Sequence, residues 1–354
     1  MNTKVITNYQ DILMALPQPV FVTGTGGVVR LINTAGQHLM TGFGVTESLG
    51  SRIAEHITHP SFMDVYEDIR VGDKIVGAVD FSLDNPYLAI KQYFTANVSK
   101  VEISDEILIV VVLSDMTSQR QVDKMRSDFI ANASHELRTP LSSIVGFVET
   151  LQNGALEERD TANKFLSIMA MESTRMARVL DDLLSLSRIE QDEHIVPDGR
   201  VNLKTILHSI ADGLNFIGRA KNISFSFDLK GNNVVNGNGD QLIQVFQNLM
   251  ANAIKYGDRD SVVNIKTQQY SLDRRNAVKV MVADCSGGIE EKHLSRLTER
   301  FYRVDKARSR KEGGTGLGLA IVKHIVSHHR GVLEIESIVG EGSVFSVILP
   351  VRNV

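Results

Sequence analysis

The sequence predicts a multidomain α+β chain with three dissimilar parts, and three patterns predict it. Short β-rich runs fill residues 9 to about 115, apolar heptads run from about 116 to 190, and helices alternate with strands from about 200 to 354. The 354 residues suffice for two or three domains. A composition of 43% hydrophobic and 23% charged residues excludes a disordered chain. The net charge of -4 gives no electrostatic ground for nucleic-acid binding. Cys285 is the only cysteine, so no internal disulfide forms and a reducing cytoplasm is the expected compartment. The longest apolar run, 107–113, falls far short of the roughly 20 residues that a membrane helix needs. The first ten residues lack the apolar core of a signal peptide. The chain is therefore expected to be soluble and cytoplasmic, or membrane-associated if an anchor precedes it.

In the first part, residues 20–23, 28–32, 88–98 and 107–113 read as strands, and Gly26-Gly27 marks a hairpin between the first two. The result is a small α+β domain with an antiparallel sheet. In the second, Val122, Met125, Phe129, Ala133 and Leu137 recur at steps of three and four. Phe165, Met169, Met176, Val179, Leu183 and Leu186 share one heptad seam, interrupted by Glu172, and Gln152-Asn-Gly-Ala supplies a turn. Two such helices form an antiparallel helical hairpin whose apolar stripe is too wide to leave wet. Pairing two hairpins into a dimeric four-helix bundle covers it; a hairpin packed on its own neighbours is the alternative. In the third, 203–219, 240–256 and 317–329 read as helices, and 223–229, 262–270, 277–283, 332–337 and 344–349 as strands. That pattern is an α/β sandwich. No internal repeat or low-complexity tract is present.

Four strings carry chemistry. In Phe129-Ile-Ala-Asn-Ala-Ser-His135-Glu136-Leu-Arg138-Thr139-Pro140-Leu141, a helix places His135, Arg138 and Thr139 on one face. Pro140 has no N–H for the Glu136 carbonyl, which predicts a bend just after the histidine. A neutral imidazole attacks phosphorus through one nitrogen when the other is held by an acceptor, and Glu136 is a candidate acceptor. In Asn248-Leu-Met-Ala-Asn252-Ala-Ile-Lys255-Tyr256, four polar side chains form a stripe on an apolar helix. Amide oxygens suit Mg²⁺ and a lysine suits phosphate, although a water-facing stripe has the same pattern. In Asp284-Cys-Ser-Gly-Gly288-Ile289, a carboxylate at a strand end can accept from the adenine amine, or the string is a plain turn. Gly313-Gly314-Thr315-Gly316-Leu317-Gly318-Leu319 leads into a helix, where bare N–H groups and the helix N-terminus favour phosphates. The charged stretch 305–312 before it suits a mobile lid rather than the strand of a dinucleotide-binding unit.

Residues 134–141, Ser-His-Glu-Leu-Arg-Thr-Pro-Leu, resemble at every position the phosphoacceptor box of sensor histidine kinases. The resemblance implies that His135 is phosphorylated from ATP and passes the group to an aspartate of a response regulator. Glu136 is then its acid/base partner, and Thr139 orients water when the regulator is dephosphorylated. Residues 248–256 resemble the Asn box, with Asn252 as Mg²⁺ ligand and Asn248, Lys255 and Tyr256 lining the nucleotide. Asp284 and Gly288 match the family's Asp-x-Gly-x-Gly loop, but Ser286 stands where its first glycine is expected. If Ser286 is held at φ > 0, the strain is about 1 kcal/mol, and Ser286→Gly should tighten ATP binding severalfold; if Gly287 absorbs the turn instead, Ser286 costs nothing. Phe301-Tyr-Arg303-Val-Asp305 resembles the Phe box, with Arg303 approaching the ATP phosphates, and Gly314, Gly316, Leu317 and Gly318 match the second glycine box.

These boxes follow the family order across residues 129–320. They imply a dimerisation and histidine-phosphotransfer hairpin over 118–195 and a catalytic ATP-binding domain of the GHKL type over 196–354. A nucleotide-binding pseudokinase scaffold and an ATP-driven clamp of the same superfamily are the competing classes. Residues 1–117 resemble a PAS sensor domain, whose ending Asp115-Met116-Thr117 fits; an interaction module is the alternative. The absence of cysteine there excludes a thiol-linked flavin, and His38, His56 and His59 read as surface residues rather than haem ligands. Residues 119–126 should continue as one helix into the His135 bundle. The strings Leu297-Thr-Glu-Arg-Phe-Tyr-Arg-Val-Asp305 and Leu186-Ser-Arg-Ile-Glu190 resemble the phosphate-regulon branch. That branch implies a DNA-binding response regulator and a phosphate-transporter regulatory protein as partners, beside a homodimer.

Overall fold

A computed structural model describes residues 9–45, 47–85, 87, 90–103, 105–192, 195–272, 275–305 and 314–351. Leu88, Gly313 and residues 306–312 of the expected lid lie outside the described residues. Contacts divide the chain into two compact units, Met1–Asp128 and Phe129–Val354.

The first unit runs α1 (Tyr9–Ala15), β1 (Val20–Gly24), β2 (Val29–Ile32), α2 (Thr34–Gly42), α3 (Pro60–Val71), β3 (Val76–Asn85), β4 (Ile90–Ile103) and β5 (Glu106–Asp115). The strands form one antiparallel sheet in the order β2-β1-β5-β4-β3. The expected hairpin is present: Gly27, at φ 76°, donates its N–H to the Gly24 carbonyl at 2.9 Å. Strand β3 has no counterpart in the sequence reading. It is an edge strand, paired only with β4, and its Gly77, Asp80, Ser82 and Asp84 interrupt any apolar run. Phe21, Phe62, Tyr66, Phe81 and Phe94 fill the core beneath it.

Asn33 ties this unit together. Fully buried, its Oδ1 accepts from Val20 N–H at 2.9 Å and Gly36 N–H at 2.8 Å, capping α2. Its Nδ2 donates to the carbonyls of Leu13, Leu16 and Gln18.

In the second unit, α4 (Thr117–Gln152) and α5 (Arg159–Gln191) form the expected hairpin, and the division between the units falls within α4. The helix continues through Pro140. Gly154, at φ 111°, makes the left-handed turn that a side chain resists. The predicted seam packs inside: Val179 and Leu186 are fully buried, and the Phe147 and Phe165 rings lie 5.0 Å apart. Leu141, Val145 and Val148 of α4 and Leu166, Leu180 and Leu184 of α5 stay exposed.

The sandwich follows with β6 (Arg200–Asn202), α6 (Leu203–Arg219), β7 (Ser224–Leu229), β8 (Val234–Asn236) and α7 (Gly239–Tyr256). It ends with β9 (Val262–Leu272), β10 (Arg275–Asp284), α8 (Glu291–Leu294), α9 (Gly318–His328), β11 (Val332–Ile338) and β12 (Gly342–Pro350). The sheet order is β11-β12-β10-β9-β7, with β7 and β9 parallel and the other pairs antiparallel. Helix α6 begins where the Asn202 side chain accepts from Lys204 N–H, and it buries Leu203, Leu207, Ile210 and Leu214 at helical spacing. Helices α6, α7 and α9 share one apolar core with the sheet. Leu186 and Ile189 of α5 belong to that core, so the root of the hairpin packs with the sandwich.

Replacing Asn33 by alanine removes a cap and strands buried carbonyls, and should cost the first unit about 2 kcal/mol or more. Hydrogen exchange reads the effect: the Val20 and Gly36 amides should lose protection. Unchanged protection there would contradict the assignment.

Candidate phosphoacceptor and nucleotide site

His135 lies exposed in mid-α4, flanked by exposed Ser134 and Arg138. The Thr139 hydroxyl donates back to the His135 carbonyl at 3.1 Å, and Pro140, buried, follows it. Glu136 is drawn inward. Its Oε2 accepts from Arg175 Nη2 of α5 at 2.7 Å and from Arg303 Nη2 of the sandwich at 3.1 Å. Side-chain exposures of 17% for Glu136, 11% for Arg175 and 6% for Arg303 make this a sheltered ion cluster, the kind in which losing one charge leaves another buried and unpaired. Glu172, one turn before Arg175, stands 3.6 Å from it. Arg303, expected at the ATP phosphates, thus meets the phosphoacceptor helix in this state.

Asn248, Asn252, Lys255 and Tyr256 line one side of α7, the first three half-buried and Tyr256 exposed. Asn248 Nδ2 donates to the Gly318 carbonyl at 3.4 Å, which joins the stripe to the glycine loop. The Lys255 ammonium lies 5.1 Å from the Tyr256 ring centre. Lys221, unremarked in the sequence, caps this helix by donating to the carbonyls of Ile254 and Lys255.

Asp284 ends β10 and is buried. Desolvation pushes its carboxyl above the usual range, against the Ser286 hydroxyl and the Ser343 and Ser286 amides, which hold it down. Gly288 takes the left-handed turn at φ 72°, and a Cβ there would stand 2.1 Å from the Ile338 carbonyl oxygen. The expectation of strain at Ser286 is therefore corrected. Ser286 has no positive φ; the loop places that demand on Gly288 and uses the serine as a hydrogen-bond donor to Asp284.

Gly314 is half-buried, and the Thr315 hydroxyl donates to Asp182 Oδ2 of α5 at 2.8 Å. Gly316, at φ 75°, packs so closely that a Cβ would lie 2.9 Å from the Phe301 backbone. Leu317 is fully buried, and Gly318 opens α9 against the Asn248 side chain. Further contacts fasten this edge to the hairpin. The Phe129 and Phe301 rings are 6.0 Å apart, Arg300 lies over Phe129, and Arg300 also pairs with Glu190.

A buried carboxylate beside a glycine that admits no Cβ, an amide stripe, and a second glycine loop joined to that stripe at a helix N-terminus together fit an adenine nucleotide. The comparisons agree. Residues 237–353 match the model of the histidine kinase-, DNA gyrase B- and HSP90-like ATPases, and 125–192 match the His kinase A (phospho-acceptor) domain. The phosphate regulon sensor protein PhoR of Pseudomonas aeruginosa is 33% identical over 344 residues, covering 97% of this chain and 74% of its own length. The chain belongs to the sensor histidine kinases.

Sensor protein kinase WalK of Staphylococcus aureus is 37% identical over 242 residues, which are 68% of this chain but 57% of that protein. The fold of histidine kinase ThkA, solved in complex with response regulator protein TrrA, aligns over 97% of this chain and 98% of its own, at 20% identity and a TM-score of 0.53. The chain is accordingly a protein-histidine kinase with an ATP-binding domain, and no helix among its described residues is long and apolar enough to cross a membrane. The sequence reading had assigned no role to Arg175, Asp182 or Ser343 of this histidine kinase. Their partners lie 39, 133 and 59 residues away in sequence, and no local string signals them.

Gly288→Ala should weaken nucleotide binding by more than about tenfold, because the loop must open to clear the Ile338 carbonyl. Ser286→Gly should bring no gain. Titration with a fluorescent ADP analogue reads both, and a tighter Ser286→Gly variant would restore the strain argument.

As the expected acceptor for the adenine amine, Asp284 would accept best when ionised, the form present above its raised pKa. Nucleotide affinity should therefore fall on acidification, beginning above the ordinary carboxylate range. Asp284→Asn should show weak binding without that acid limb. A pH-independent affinity in the native protein would contradict the role of Asp284.

Proposed function

We propose that this histidine kinase phosphorylates its own His135 from Mg·ATP and passes the phosphoryl group to an aspartate of a cognate response regulator. We also propose that it dephosphorylates that regulator, with Thr139 placing the water. The observation that carries the reading is an exposed imidazole next in sequence to a sheltered carboxylate that an arginine of the nucleotide domain grips. Bound at the site, ATP supplies the γ-phosphoryl group and Mg²⁺ offsets its charge. Asn252 would hold the metal, Asn248, Lys255, Tyr256, Asp284 and Gly288 the nucleoside and its phosphates, and Gly314, Gly316, Leu317 and Gly318 the phosphate loop. One ring nitrogen of His135 forms the new N–P bond as the bond from the γ-phosphorus to ADP breaks. Glu136 accepts the proton of the other nitrogen as positive charge grows there.

The exposed stripe of Leu141, Val145, Val148, Leu166, Leu180 and Leu184 supports a homodimer through the hairpin, a four-helix bundle. We assign residues 118–195 to that hairpin, 196–354 to catalysis and 1–117 to a PAS-like sensor, a reading supported by its sheet order. Likeness to PhoR over nearly the whole chain supports phosphate-limitation signalling, with a phosphate-transporter regulatory protein as a further partner. ATP as co-substrate supports a cytoplasmic site for these domains.

Incubation with γ-labelled ATP should give a label that is lost in acid and stable in base, as phosphohistidine is. His135→Gln should abolish the label while ADP binding stays within about twofold. Undiminished labelling of the variant would remove His135 from the reaction.

A further inference from the structure

Two cations hold Glu136, and only one has somewhere else to go. Arg303 belongs to the Phe box, whose resemblance sets it at the ATP phosphates, where a bound triphosphate would compete for it. Arg175 sits in mid-α5, on the same hairpin as Glu136, and Glu172 braces it from one turn away. It cannot follow the nucleotide domain.

We infer that Arg175 is a positioning residue for phosphoryl transfer, keeping the Glu136 carboxylate in place beside His135 while Arg303 attends the phosphates. The inference rests on the reading of Glu136 as the acid/base partner of His135.

Adjacent helical residues point about 100° apart, so the Glu136 carboxylate must be drawn aside and fixed to reach the His135 ring. An unrestrained glutamate samples several staggered rotamers, of which a fraction serve. Both arginines bind Oε2, and among the described residues no hydrogen bond occupies Oε1. That oxygen stays available to the imidazole N–H while Oε2 is anchored. Glu172 fits the same account. It breaks the apolar seam of α5, where Phe165, Met169, Met176 and Val179 continue on either side, and at that position its carboxylate puts a second negative charge beside the Arg175 guanidinium. Arg175 therefore acts through Glu136 and touches no reacting atom.

The test is the initial rate of autophosphorylation of the full chain against ATP concentration. Arg175→Ala should lower kcat by about tenfold or more and leave KM within about twofold, because orientation is lost and nucleotide binding is not. Millimolar guanidinium should restore part of that rate in the alanine variant and none in the native protein. In a Glu136→Gln background Arg175→Ala should cause no further loss. If the alanine variant does not fold, Arg175→Gln, which keeps reach and an amide donor, carries the same expectation. A native kcat in the Arg175 variant beside a crippled Glu136→Gln overturns the inference alone, as does an undiminished further loss in the double variant. A native rate in Glu136→Gln overturns the reading of Glu136, and the inference falls with it.

Discussion

A carboxylate drawn out of water must keep its cations, and Glu136 draws one from each side. The α5 helix contributes Arg175 and the sandwich contributes Arg303, so one ion cluster ties the phosphoacceptor helix, its partner helix and the nucleotide domain together. Breaking such a sheltered cluster by removing one member typically costs about 3–5 kcal/mol, because it leaves a charge unpaired in a low-dielectric setting. The cluster is also incompletely satisfied. Buried Nε atoms of Arg175 and Arg303, and Oε2 of Glu172, have no hydrogen-bond partner among the described residues. Each unmet group costs about 1–3 kcal/mol, which narrows the margin by which the cluster holds together.

Around this cluster the docking is mostly apolar and aromatic. Phe129 takes the Phe301 ring and the Arg300 guanidinium, while Leu186 and Ile189 sink into the sandwich core. The Thr315–Asp182 hydrogen bond adds a polar clasp at the glycine loop. Burial pushes the Asp182 carboxyl above its ordinary range, and the threonine hydroxyl is the largest influence holding it down. Arg303 and Thr315, one from each of two motifs expected at the ATP phosphates, thus have partners on the hairpin, so nucleotide binding there and docking would be linked equilibria.

The sequence reading succeeded where the period was strong and local. The helix over 203–219 and the long hairpin were legible because apolar residues repeat at helical spacing and Gln152-Asn-Gly-Ala supplies the turn of the hairpin. Strand β3 escaped because an edge strand with alternate polar residues shows no apolar run, and β6 and β8 are three residues each. The site was legible as strings but not as partnerships. His135, Asn252 and Gly316 announce themselves in their motifs; Arg175 and Asp182 do not, since each acquires its partner only when the hairpin closes or the domains dock. Ser286 shows a third kind of failure. A missing glycine suggested strain, yet the left-handed residue is Gly288, and the serine hydroxyl serves the buried aspartate instead.

The Phe and glycine motifs prove to be one element. Phe301 is itself left-handed, at φ 62°, and its N–H donates to the Gly316 carbonyl at 2.8 Å. A bulky residue in that region costs about 1–2 kcal/mol. What holds it there is the fit of its ring against Phe129 and of its backbone against a glycine whose Cβ would collide with it. A side chain at 316 would push Phe301 off Phe129, and loss of Phe129 would remove the packing that sustains the strained backbone. The residue two positions on, Arg303, is aimed by that same backbone at Glu136. Local strain at Phe301 therefore sets the direction in which Arg303 meets the carboxylate, which is why a phenylalanine, a glycine and an arginine from separate strings behave as a single part.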